Sequence, residues 1–319
     1  MTTLVTGAAG FIGRHLIGKL IAGGGDVLAF DRVEPPEPVW RGWGGRADFQ
    51  SGDVSDREQV FSLVRRFAER AGAGPVIHLA GILTAGCDRD PDAAVAVNLE
   101  GLRHVLDASL AHGVRRVVMA STIGVYGPGL PQPMSEEMPT EPEGWYGLTK
   151  RMAEEMGLFY ARRHGLDFRA ARFAAVTGAG RSAGSGSASL FTSFIPEKAA
   201  LGEPYAIEVE EDTAYPVIYI EDAVQALVRL ATAEEAPARI YNFASGRVVT
   251  AELVAAVKRL VPGARLTYAP DADVMAVVAG YREWRIDCSR AARELGWQPA
   301  YGVDAMVRDI IERARKHSA

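Results

Sequence analysis

The sequence is short of cysteine, of grouped histidine, of long apolar runs and of positive charge, and each shortage removes a class of function. Its 319 residues include two cysteines, Cys87 and Cys288, too few for a disulfide framework or a cysteine metal cluster. Six histidines stand without ligand-like spacing, so no metal site is expected. No apolar run reaches the roughly 18 residues that a membrane span requires, and no membrane association is expected. The formal net charge of −5 runs against the basic face that nucleic-acid binding normally requires. The chain opens directly on a strand pattern, Thr2 to Thr6, with no charged leader before an apolar block, so no signal peptide is expected and a cytoplasmic location is. What is present is a globular composition, 48% hydrophobic and 24% charged, long enough for one large domain or two ordinary ones.

Short apolar runs alternate with amphipathic stretches through the first half. The pattern predicts strands at Leu4–Val5, Val27–Phe30, Val76–Ala80, Arg116–Ala120 and Phe168–Phe173. It predicts helices over Ile12–Ala22, Asp56–Arg70, Asp92–His112 and Tyr146–His164, the second with Val60, Leu63, Val64 and Phe67 at helical spacing. Such alternation predicts an α/β fold, a doubly wound parallel sheet covered on both faces. Beyond Arg172 the pattern loosens. Thr177 to Ser193, rich in Gly, Ser and Ala, reads as a loop. Val217–Ile220, a helix over Asp222–Ala233, and Ile240–Ala244 read as a return to the sheet, followed by helices over Thr250–Leu260 and Ser289–Leu295. The expected organisation is a nucleotide-binding domain over 1–172 with returns near 215–247. A smaller, discontinuous substrate domain is expected from 173–214 and 248–319.

Between the first strand and first helix lies Thr6-Gly7-Ala8-Ala9-Gly10-Phe11-Ile12-Gly13. Glycines here permit a tight turn and let a pyrophosphate approach the backbone, where the helix N-terminus offers free N–H groups. Asp31 ends the second strand 18 residues after Gly13, about the distance expected of an acid that binds the adenosine ribose hydroxyls. A carboxylate there repels a 2′-phosphate and favours NAD, and Arg32 beside it partly offsets that preference. Tyr146 and Lys150, in Tyr-Gly-Leu-Thr-Lys, are four apart and share one helical face. A phenol of pKa about 10 is a poor base at neutral pH, but a neighbouring ammonium is expected to lower it by about 1–3 units. Ser121 and Thr122 follow the buried strand at the carboxyl edge of the sheet, where ligands of open α/β sheets bind. A hydroxyl there can hold a substrate oxygen while Tyr146 moves its proton.

As a set these segments resemble the extended short-chain dehydrogenase/reductases, the Rossmann-type family that includes nucleotide-sugar epimerases and dehydratases. The resemblance covers nearly the whole chain. Besides the glycine turn and Tyr146 to Lys150, it rests on Gly52-Asp53-Val54-Ser55-Asp56, Val76-Ile77-His78-Leu79-Ala80-Gly81, Asn98-Leu99-Glu100-Gly101, Ser121 to Gly127 and Leu295-Gly296-Trp297-Gln298-Pro299. It implies that Tyr146 is the general acid/base, that Lys150 bonds the nicotinamide ribose and that Thr122 is the catalytic hydroxyl. Asp53 and Val54 would border the adenine, Leu79, Ala80 and Gly81 would line the cofactor, and Asn98 would support the central helix. It also implies a homodimer paired through the helices near Asp92 to His112 and Tyr146 to His164.

The substrate segment departs from the nucleotide-sugar pattern. Where such enzymes read roughly RxFNxxG, this chain reads Arg172-Phe173-Ala174-Ala175-Val176-Thr177-Gly178, with Ala175 in place of the asparagine. No arginine precedes the apolar run in Thr213 to Asp222, and a diphosphate without cationic or amide partners binds poorly. Tyr215 to Asp222, Ile240 to Ser245 and Tyr268 to Asp271 instead resemble short-chain threonine dehydrogenases and sugar-acid dehydrogenases. Arg181, Ser185, Ser187 and Ser189 in the Gly180 to Ser193 loop are candidates to hold a small anion, with Ser121, Tyr126, Trp145 and Ala175 near the pocket. The expectation is an NAD-dependent dehydrogenase of a small polyhydroxy or hydroxy-acid substrate, with a role in carbohydrate metabolism. The alternatives are a sugar 4-epimerase using the same residues and a non-catalytic NAD-binding protein, which would typically have lost Tyr146 or Lys150.

Overall fold

The computed structural model describes residues 1–70, 73–182 and 188–318. Among these, twelve strands follow in chain order: β1 (Thr2–Thr6), β2 (Asp26–Asp31), β3 (Ala47–Ser51), β4 (Ala73–His78), β5 (Arg116–Thr122), β6 (Asp167–Phe173), β7 (Ala175–Thr177), β8 (Tyr205–Ile207), β9 (Ala214–Tyr219), β10 (Ile240–Phe243), β11 (Gly246–Val249) and β12 (Leu266–Tyr268). The central sheet has the order β10-β6-β5-β4-β1-β2-β3, with every pairing parallel. The order reverses direction between β1 and β4, so a crevice opens beyond their carboxyl ends, where a dinucleotide binds in doubly wound sheets.

Neighbouring residues of each central strand point to opposite faces, and two apolar clusters result. Leu4, Val76, Val117 and Ala170 join Leu63, Phe67, Leu102 and Val105 on one face. Val5, Ile77, Val118 and Ala171 join Leu16, Ile17, Ala223 and Leu227 on the other. Burial on both faces explains why these strands read as continuous apolar runs. The helix Arg57–Ala68 starts where Asp56 accepts the N–H groups of Glu58 and Gln59, and it buries Val60, Leu63, Val64 and Phe67 as their spacing predicts. Among the described residues, no helix is long and apolar enough to cross a membrane.

Several expectations are corrected. Val217–Ile220 does not return to the central sheet: β9 pairs with β7 and antiparallel with β11 in a separate three-stranded sheet. Only β10 returns, against β6. The apolar run announces a buried strand but says nothing of its partner. The presumed loop Thr177 to Ser193 begins inside β7 and runs into a helix, Phe191–Ala200. Its small residues conceal the apolar Phe191, Ile195 and Ala199 that bury one helical face. The long helix expected over Asp92–His112 has three parts, Pro91–Ala94, a π-helical stretch Val95–Glu100, and Gly101–Ala111. The widened stretch contains Asn98, and such distortions are frequent at functional sites. The strand β3 and the helices Ala272–Ala279 and Val303–Ser318 were not anticipated.

A buried polar brace ties the sheet to the helix Trp145–His164. Glu154 accepts Arg172 Nη2 at 2.7 Å and Nε at 3.0 Å, with both side chains nearly inaccessible. Removing one partner of such a pair leaves an uncompensated buried charge. Arg172→Met is therefore expected to cost about 3–5 kcal/mol in urea unfolding. Loss of the half-exposed Lys198–Glu203 pair should cost at most about 1 kcal/mol. Equal small losses for the two pairs would contradict this description of the brace.

Candidate active site

The turn after β1 is shaped for close approach. Gly7 has φ of +70°, and a Cβ there would come within 2.6 Å of the Ala80 nitrogen. A Cβ at Gly13 would stand 2.2 Å from the Gly7 oxygen. Only glycine lets the turn lie against the end of β4 and the helix Phe11–Ala22 lie against the turn. That helix starts at Gly10 without a side-chain cap, so its first N–H groups remain for an anion. Asp31, at the end of β2, accepts Ala9 N–H at 3.0 Å and Val33 N–H at 3.2 Å, which fixes its carboxylate beside the turn. Arg32, beside Asp31, pairs with Asp53 at 3.5 Å. Burial raises the Asp53 carboxyl, but hydrogen bonds from Ser55 and the charge of Arg32 outweigh that and leave it below the usual range. Val54 is buried beside it and packs against Gly101. These residues form a dinucleotide cradle, and they fit NAD.

A cleft of about 490 Å³ runs from this turn to the ends of β5 and β7, within the size range of small-molecule sites. Gly7, Gly10, Phe11, Ile12, Gly13, Leu79, Gly81, Thr122, Tyr146, Lys150, Ala175 and Arg181 all line it. Ala80 and Asn98 support it from behind. Asn98 Oδ1 accepts Ile82 N–H at 2.8 Å, while its Nδ2 donates to Ile82 O at 3.1 Å and Thr149 Oγ1 at 3.1 Å. It thereby clamps the loop after β4 to the helix Trp145–His164. A Cβ at Gly81 would meet both Asn98 Oδ1 at 3.1 Å and Lys150 Nζ at 3.3 Å, so that loop must pass close to the lysine.

Thr122 is the last residue of β5, and its Oγ1 accepts Gly124 N–H at 3.0 Å. Tyr146 and Lys150 occupy the first turns of the helix, as their spacing predicts. Lys150 Nζ donates to Ala120 O at 3.1 Å and lies 5.9 Å from the Tyr146 ring centroid. Burial drives the ammonium down to about 8, opposed by Cys87 and Glu154. Burial also pushes the Tyr146 phenol well above its ordinary value, with smaller contributions from Cys87 and Tyr281, while hydrogen bonding to Thr122 pulls it back. This corrects the expectation of a phenol already made acidic by its lysine. Loss of hydration dominates, and both groups are shifted toward their neutral forms.

Three pocket expectations also change. Ser121 borders the cleft, but its hydroxyl donates to Glu154 at 2.5 Å, which commits it to the brace. Tyr126 is only 2% exposed. Its hydroxyl donates to Asn242 Oδ1 at 2.8 Å and accepts Arg172 Nη1 at 2.9 Å, so it is a buried network residue and not a substrate contact. Trp145 is 43% exposed at the helix start and is absent from the cleft lining. Ser185 and Ser187 lie outside the described residues. The sequence reading missed Tyr215, Tyr281 and Arg14, which also line the cleft. Tyr215 and Tyr281 arrive from distant segments and stack at 5.0 Å between centroids, a pairing that no local pattern announces. Arg14 stands one residue beyond the glycine motif, where its position was the only available signal.

Residues 3–244 match the family described as the NAD dependent epimerase/dehydratase family. The chain is 29% identical over 313 residues to the mitochondrial L-threonine 3-dehydrogenase of Bos taurus, covering 97% of this chain and 81% of that protein. Among solved structures it resembles the holo form of the GalE-like L-threonine dehydrogenase of Cupriavidus necator, with TM-score 0.87, 29% identity, and coverage of 98% of this chain and 99% of that one. It also resembles the UDP-glucose 4-epimerase of Thermotoga maritima bound to UDP-glucose, with TM-score 0.86, 25% identity and full coverage of both chains, 100% each. With the glycine cradle, the Tyr146–Lys150 helix and the family match together, the chain belongs to the NAD-dependent epimerase/dehydratase family and is an NAD-dependent enzyme of the extended short-chain dehydrogenase/reductase type.

Proposed function

We propose that the enzyme is a dehydrogenase that oxidises a small polyhydroxy or hydroxy-acid substrate in this cleft. The observation that carries this reading is the convergence of Thr122, Tyr146 and Lys150 on one cleft with the glycine turn. The wall of that cleft from Phe173 to Val176 bears no side-chain amide. Thr122 orients the substrate hydroxyl and Tyr146 accepts its proton. NAD, when bound, would supply the two-electron acceptor for the carbinol hydrogen. Lys150 would hold the nicotinamide ribose, and its ammonium charge favours the phenolate. Gly7, Gly10, Phe11, Ile12 and Gly13 hold the pyrophosphate, and Asp31 takes the adenosine ribose hydroxyls. Asp53 and Val54 border the adenine, while Leu79, Ala80 and Gly81 line the cofactor with Asn98 behind them. The likeness to threonine dehydrogenases supports a small substrate.

A second reading, a sugar 4-epimerase, draws on the likeness to the UDP-glucose enzyme and needs the same three residues. Tightly retained NAD with no net NADH formation would favour it. The domain reading assigns 1–172 and the returning β10 to cofactor binding. It assigns the helices Phe191–Ala200, Thr250–Leu260 and Val303–Ser318, which pack on one another, to the substrate side. Two unpaired cysteines support a reducing compartment and a cytoplasmic location. A homodimer is supported by Trp145, Met152 and Phe159, seven residues apart on one stripe of their helix and 43%, 49% and 51% exposed.

Three outcomes are expected. Tyr146→Phe should lower kcat for NADH formation from a hydroxy acid at least ~100-fold while leaving NAD affinity largely unchanged; retained turnover in that variant would contradict the assignment. Because the phenolate is the active base, kcat/KM for oxidation should fall as pH drops, and Lys150→Met should move that fall to higher pH. A profile that Lys150→Met leaves in place would separate the lysine from the phenol. In sedimentation velocity the wild type should run as a dimer and Met152→Glu/Phe159→Glu as a monomer, whereas a monomeric wild type would remove the dimer reading.

A further inference from the structure

Among the described residues, no Asp, Glu, Asn, Gln or His lines the cleft, whereas three cations do: Arg14, Lys150 and Arg181. Two of them have evident tasks. Arg14 stands one turn into the helix beside the glycine turn, where its Nη2 donates to Gly180 O at 3.0 Å. Lys150 lies beneath the catalytic phenol. Arg181 differs from both in holding no backbone carbonyl of the described residues, whereas Arg14 and Lys150 each donate to one. Its Nη1 donates to the hydroxyl of Ser189 at 3.3 Å, and its guanidinium carbon lies 5.9 Å from the Phe11 ring centroid. No carboxylate of the described residues pairs with it, and burial lowers it to about 10, so it is a desolvated cation at neutral pH.

Its surroundings lead toward the reacting end. Arg181 is electrostatically coupled to Tyr215, Tyr215 stacks on Tyr281 at 5.0 Å, and Tyr281 acts on the Tyr146 phenol. All four side chains line the same cleft. A buried cation without a counter-charge is unfavourable until an anion joins it. The planar guanidinium presents two parallel N–H donors that match a carboxylate. We infer that Arg181 is a specificity-determining residue whose fork takes the carboxylate of a small hydroxy acid while that acid's hydroxyl lies between Thr122 and Tyr146. This inference rests on the dehydrogenase reading above. It narrows the substrate class from polyhydroxy compounds in general to hydroxy-acid anions.

The test uses the purified enzyme with NADH, and glycerate, threonate, glycerol and UDP as probes of the NADH complex by cofactor fluorescence. Glycerate or threonate should bind and glycerol should not. Arg181→Met should weaken the acid at least ~10-fold, the scale of a lost charge-assisted hydrogen bond, with unchanged NADH affinity reporting that the variant is folded. Arg181→Lys should recover part of the loss, since the charge remains and the fork does not. Acid binding equal in the wild type and Arg181→Met, or no binding of either acid to the wild type, would overturn the inference. A parallel loss of NADH affinity in Arg181→Met would overturn it too, by moving the residue to the dinucleotide. Hydroxy-acid oxidation undiminished in Arg181→Met would remove this inference alone. A wild type that binds UDP, ignores both acids and oxidises no hydroxy acid would remove the dehydrogenase reading with it.

Discussion

The carboxylate of Glu154 lies buried on the helix Trp145–His164, where it receives the Ser121 hydroxyl from the end of β5 and the Arg172 guanidinium from the end of β6. One turn earlier on the same helix, Lys150 feels its negative charge. A buried carboxylate is tolerated only with full pairing, so its bonds fix the helix in rotation and in height above the sheet. Tyr146 and Lys150 are thereby held over the carboxyl edge of β5, next to Thr122. The contacts continue outward. Arg172 also donates to Tyr126, which donates to Asn242 on β10, and the Asn242 backbone N–H donates to Glu136 at 2.8 Å. The catalytic helix, the sheet edge and the returning strand are thus joined by one chain of polar contacts in a low-dielectric interior.

That placement sets the electrostatics of the cleft. Burial disfavours both the phenolate of Tyr146 and the ammonium of Lys150. The lining is nevertheless cationic, with three basic side chains and no acidic one among the described residues. Such a lining suits a negatively charged dinucleotide and, on the inference drawn from Arg181, an anionic substrate. In the proposed mechanism, pairing with ligand replaces the hydration that burial removed, so ligand binding and activation of the phenol belong to the same event.

Much of this was legible in the sequence because the cofactor half is built from local motifs. The glycine turn, Asp31 at the end of β2, and Tyr146 four residues before Lys150 each carry their geometry in their spacing. The central strands announced themselves as unbroken apolar runs because both faces are covered. Residues whose roles depend on distant partners were misread. Ser121 and Tyr126 look like pocket hydroxyls until Glu154, Arg172 and Asn242 are seen to occupy them. Tyr215 and Tyr281 meet across 66 residues of chain, and β9 resembles a central strand because apolarity encodes burial but not a pairing partner. The acidity of Tyr146 was misjudged for a related reason: spacing reveals its lysine, whereas the depth of burial that raises the phenol is a tertiary property.

The proton chemistry of Tyr146 is the point on which the functional reading turns, and tyrosinate absorbance difference spectroscopy addresses it directly. Spectra of the wild type minus Tyr146→Phe, titrated with and without saturating NAD⁺, isolate this one phenol. Without cofactor, the difference should show no ionisation of Tyr146 up to and beyond the pH at which free tyrosine ionises. With NAD⁺ its midpoint should move to distinctly lower pH. A midpoint that is the same in both titrations would contradict the account, because Tyr146 would then lie outside the field of the bound nicotinamide.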